Sequence, residues 1–81
     1  MLKSATHYYG RYTILVAIWP ASANMYQSSF TVHESDQGPG TRPLFLLYEE
    51  GRARGMTCET AADAEQDALQ RAAAWADARA D

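Results

Sequence analysis

Eighty-one residues make one domain spanning 1–81, and a chain this short hides only roughly 60% of its unfolded surface, so each large apolar side chain counts. The formal charge of −3 is uneven: residues 1–54 hold five basic and four acidic side chains, residues 55–81 two and six. Nucleic-acid binding rests on clustered cations, and seven scattered ones in a net acidic chain argue against it.

The stretch from Arg11 to Ala23, "RYTILVAIWPASA", has two incompatible readings. A basic residue, an apolar run, a proline and Ala-Ser-Ala resemble the end of a secretory signal peptide cleaved after Ala23. Read by alternation, Tyr12, Ile14, Val16 and Ile18 fall on one face of a strand and Thr13, Leu15, Ala17 and Trp19 on the other. The run is rich in β-branched and aromatic residues, and His7, Tyr8, Tyr9 and Gly10 make an unusual leader. The strand reading prevails, with residues 1–23 retained.

After Pro20, "PASAN" is turn chemistry. "MYQSSFTVHE" then alternates, with Tyr26, Phe30 and Val32 on one face and Gln27, Ser29, Thr31 and His33 on the other. "SDQGPGTRP" is the strongest loop signal in the chain. "LFLLYEE" predicts a third strand, apolar on both faces through Leu47, and so a central or doubly covered one. Gly51 turns the chain, and "RARGMTC" predicts a short fourth strand.

From Thr60 the period changes. Thr60 and Asp63 fit a capping box. Ala61, Ala64, Ala68, Leu69, Ala72, Trp75 and Ala76 then gather on one side of a helix ending near Arg79. Leu69 and Trp75 are its expected anchors. Glu65 falls near the middle of the apolar face; it either bends to the edge or meets an arginine such as Arg11 or Arg54. Fifteen alanines inflate the 47% hydrophobic content, and nearly all the bulky core material precedes residue 57. The expected fold is α+β: a three- to four-stranded antiparallel sheet with one C-terminal helix packed on one face. One helix covers one face, so the other, carrying Leu15, Trp19 and Leu47, is expected to stay partly bare and to call for a partner or a second copy.

Tyr8, Tyr9, Gly10 and Tyr12, then Phe30 and Val32, then Thr60, Ala64, Ala68, Ala72, Trp75 and Asp77 together resemble a group of short bacterial domains of unknown function. That resemblance implies a sheet followed by a helix and no activity. A looser resemblance is to the antitoxin half of HicAB-type toxin–antitoxin pairs, which runs β-β-β-α with an acidic, alanine-rich helix. This chain lacks the following strand and DNA-binding tail of that group. The double-stranded-RNA-binding domain shares β-β-β-α, but its first helix and its lysine-rich final helix start have no counterpart here.

No arrangement in the sequence carries catalysis. His7 and His33 have no further ligand at metal spacing, and Cys58 has no histidine base nearby. "GPG" at 38–40 is a turn, not a phosphate loop. No cofactor or metal is expected. The lone Cys58 fits a reducing cytoplasm, and no apolar run nears the ~20 residues that span a bilayer. The cluster that stands out is aromatic and basic: Tyr8, Tyr9, Arg11 and Tyr12, with Arg42, Arg52 and Arg54. It suits stacked bases or an acidic partner; the plainer reading puts half of the tyrosines in the core and leaves the arginines solvated. The expected function is a non-catalytic protein-interaction module, a homodimer or the binder of another protein. Its surface is Tyr8, Tyr9, Arg11, Leu15, Trp19, Leu47, Arg52 and Arg54. An antitoxin-like inhibitor or a single-stranded nucleic-acid binder is the alternative.

Overall fold

The computed structural model describes residues 3–22, 24–35, 43–51 and 56–79. Four strands, β1 (Lys3–Tyr9), β2 (Tyr12–Pro20), β3 (Tyr26–Glu34) and β4 (Phe45–Glu49), precede one helix, α1 (Ala61–Arg79). Every pairing is antiparallel and the sheet order is β1-β2-β3-β4. The fold is α+β, with the helix packed across β2 and β3 on one face of the sheet.

The alternation read from the sequence decides which face is buried. Tyr12, Ile14, Val16 and Ile18 of β2 meet Phe30 and Val32 of β3 beneath the helix, all buried. From above come Ala64, Ala68, Ala72 and Ala76, spaced four apart and buried, which bring the helix backbone close to the sheet. Leu69 and Trp75 are half-buried and pack at the margins of this contact. Thr60 Oγ1 accepts the Asp63 amide hydrogen at 3.0 Å, closing the first turn as the capping pattern requires. A chain beginning at Asn24 would lack β1, β2 and with them four of the buried side chains of the core.

Two expectations about the strands need correction. Strand character begins at Lys3, not Tyr12: β1 pairs with β2 from Lys3↔Ile18 to Tyr9↔Tyr12. The connection is the two-residue turn Gly10-Arg11, with Gly10 at φ +58, the geometry that lets so short a turn match strand twist. The segment expected as a fourth strand is not one where it is described. Residues 52–55 lie outside the described residues, 56 and 57 carry no strand, and Cys58 makes a single bridge to Tyr26.

A further correction concerns the strand expected to be central. In an uninterrupted meander each new strand is added beside the last, so the final strand falls at the margin. β4 pairs with β3 and, among the described residues, with no other strand. The helix over β2 and β3 does not reach most of it. Phe45, Leu46, Leu47 and Tyr48 are 49, 54, 41 and 38% exposed. The register shifts between Val32↔Tyr48 and His33↔Leu46, so Leu47 is the extra residue of a bulge.

Candidate interaction surface

The tyrosine–arginine cluster does not form one platform. Tyr8 lies opposite Thr13 on the face away from the helix, whereas Tyr9 lies opposite Tyr12 on the helix face. Tyr12 is buried and meets Trp75 edge to face at 5.5 Å. Tyr9 donates its hydroxyl hydrogen to Asp77 Oδ1 at 2.8 Å, and that bond raises the phenol pKa. Arg11 lies over the Tyr12 ring, donates to its hydroxyl at 3.0 Å and pairs with Glu34 at 2.9 Å. Its charge is matched within the protein. Arg42, Arg52 and Arg54 lie outside the described residues.

The sheet face away from the helix is less bare than its sequence suggests. Leu15 is 36% exposed, but Ala17 and Trp19 are half-buried, and Ser4, Thr6, Thr31 and Gln27 share the face. A shallow groove of about 550 Å³ crosses it, lined among others by Leu15, Trp19, Ser29 and Glu49. Thr13 Oγ1 and His33 Nδ1, on cross-strand partners, are both buried and make no hydrogen bond. His33 is therefore half-buried, not the plain surface residue its position in the alternation suggests. Among the described residues, the longest run of exposed large apolar side chains is instead β4, which places Leu47, with Phe45, Leu46 and Tyr48, at the sheet margin. On β4, Phe45 lies opposite Glu34 toward the helix side and Leu46 opposite His33 on the other side, so both faces of the strand show oil to water.

Besides the Tyr9–Asp77 bond, polar ties at Glu65 and Arg71 hold the helix over the sheet, and neither is legible from sequence spacing. Glu65 meets Lys3 at 3.2 Å and His7 Nε2 at 2.6 Å, not an arginine. A carboxylate only accepts, so Nε2 carries the hydrogen. The bond from His7 is the main cause that lowers the Glu65 pKa, burial opposing it and Lys3 adding to it. The ordinary value is 4.5, so this stabilisation is complete above it and lost as pH falls through the lower folded-state value. Glu65→Gln is expected to remove ~1 kcal/mol at neutral pH and to flatten the acid limb of the stability curve. Urea midpoints taken from neutral pH downward check this; parallel curves for the variant and the parent would contradict it.

The second tie is Arg71. Its guanidinium grips Glu50 through two bonds of 2.8 Å, donates to the Ser28 carbonyl at 3.0 Å, and pairs with Asp67 one turn earlier on the helix. The hydrogen bond to Glu50 raises the Arg71 pKa more than burial lowers it. Glu50 is itself buried, with a side chain only 7% exposed, so the pair joins the end of β4 to the helix.

Cys58 is half-buried, its thiol pKa raised first by burial and then by Asp67 and Asp63, the reverse of an activated nucleophile. Among the described residues no three His, Cys, Asp or Glu groups come together to hold a metal ion. Among them, too, no helix is long and apolar enough to cross a membrane. No family model matches the chain, and neither a curated protein nor a solved structure matches it.

Proposed function

We propose that this protein is a non-catalytic interaction module that works through the sheet surface its helix leaves open, and that it assembles as a homodimer. One observation carries the reading: β4 is apolar at Phe45, Leu46, Leu47 and Tyr48 and exposed along its length. Continuous apolar exposure of this kind marks association surfaces in soluble proteins. Against single-stranded nucleic acid stand the split of Tyr8 and Tyr9 between two faces and the pairing of Arg11 with Glu34, since base stacking needs aromatics on one surface beside free cations. A cytoplasmic setting suits the lone thiol of Cys58. Light scattering across micromolar concentrations tests the proposal. A mass rising toward twice the 9.0 kDa of the chain is expected; a mass fixed at 9.0 kDa would overturn it.

A further inference from the structure

We infer that β4 is the contact itself: it pairs antiparallel with β4 of a second copy, joining two four-stranded sheets edge to edge. The inference rests on the interaction-module reading and specifies the partner and the geometry. Because Phe45 and Leu46 lie on opposite faces of the strand, an occupant laid on either face alone would leave the other in water. An occupant arriving edge-on covers both.

The backbone points the same way. Glu50 N–H donates to the Phe30 carbonyl at 3.0 Å, so the antiparallel alternation turns the N–H and C=O of Glu49 away from β3. Natural edge strands are shielded by charges or prolines along their length, and Phe45–Tyr48 holds neither. The bulge at Leu47 is a partial shield, which shortens the available ladder and keeps the pairing weak.

A second copy is the occupant that fits. The other edge, β1, is KSATHYY, with Lys3, Ser4, Thr6 and His7 along it, so joining β4 to β1 would set apolar side chains against polar ones. A two-fold pairing uses the same strand twice and ends the joined sheet in polar β1 on both sides. Antiparallel alignment also sets Glu49 of one copy near Phe45 of the other, where parallel alignment would set like charges together. With ~150–250 Å² for each large side chain, of which two-fifths to a half is exposed, Phe45–Tyr48 offers on the order of 300 Å² per copy. Two copies then bury less than the ~1,200–2,000 Å² of a standard interface, so the pairing is a weak and reversible one.

Three full-length variants decide the matter by sedimentation equilibrium, with circular dichroism to verify folding. Leu46→Lys puts a charge in the pairing strand, and chemical synthesis with an N-methyl amide at Glu49 removes only an outward donor. Leu15→Lys tests a seat on the open face. The dimer dissociation constant is expected to rise at least about tenfold in the first two and to stay near the parent value in the third. If Leu46→Lys does not fold, the N-methyl protein decides alone. A dimer that survives N-methylation overturns edge pairing while leaving the interaction module standing, most plainly if Leu15→Lys dissociates it. A parent protein that is monomeric throughout overturns both.

Discussion

Replacing Arg71 with methionine is expected to lower the unfolding free energy by about 3 kcal/mol or more. Methionine keeps an unbranched apolar stem, so the change removes the guanidinium with its ion pairs and its place over the Phe30 ring, 5.9 Å from the centroid. Its removal leaves the buried Glu50 carboxylate without a counter-charge and the Ser28 carbonyl without its Arg71 donor. An uncompensated buried charge costs several kcal/mol, whereas removing both charges costs far less. The double variant Glu50→Leu with Arg71→Met is therefore expected to recover part of the loss, a coupling that urea denaturation of the four proteins in the cycle measures directly. Additive losses would show that the pair is an exposed surface bridge of little value. A domain of this length holds only about 4–12 kcal/mol in total, so the single variant is expected to lie near the limit of folding.

Trp75→Ala is expected to cost about 2–3 kcal/mol, somewhat less than the ~3–5 kcal/mol of a fully buried ring. Trp75 is half-buried, but its ring joins the helix to both β2 and β4. It meets Tyr12 edge-on at 5.5 Å, stacks on Tyr48 at 5.6 Å, and carries Arg79 over its ring at 4.6 Å. Apart from Leu69, the rest of the apolar helix contact is made by alanines, which bury little area each, so this ring supplies a large part of the apolar area at the helix margin. Tyr48 loses its stacking partner in the variant, and β4 is expected to loosen with it. Thermal unfolding followed by tyrosine circular dichroism checks both effects. An unchanged midpoint would mean that the alanine seam alone holds the helix.

What the sequence revealed and what it hid differ by the range of the interactions involved. Strand β2 was legible because its period-2 pattern from Tyr12 to Trp19 is local, and α1 because Thr60, Asp63 and the alanines at 64, 68, 72 and 76 are local too. Strand β1 was missed because its segment is mostly polar and half-exposed, with no alternation of hydrophobicity to read. The available signal was the pair Gly10-Arg11 between tyrosines, a turn of hairpin length. The place of β4 was misjudged for a different reason. Apolar residues on both faces ordinarily mean a strand covered twice, but strand order is set by connection geometry, and the meander leaves β4 at the edge. Glu65 and Arg71 find partners 58 and 21 residues away in the chain, at His7 and Glu50. No spacing rule reaches so far. The tyrosine–arginine cluster looked continuous in sequence because adjacent residues of a strand are neighbours on paper and opposites in space.

The misjudged strand is also the feature on which the functional reading turns. Its composition demands cover on two sides, and the described residues of a single copy leave Phe45 to Tyr48 exposed. Amide hydrogen exchange of β4, followed as the protein is concentrated through the micromolar range, tests this most directly. If the sheet margin is where two copies meet, the Glu49 amide, turned away from β3, gains protection with concentration while the β1 amides do not change. Exchange at Glu49 that is independent of concentration would contradict the account.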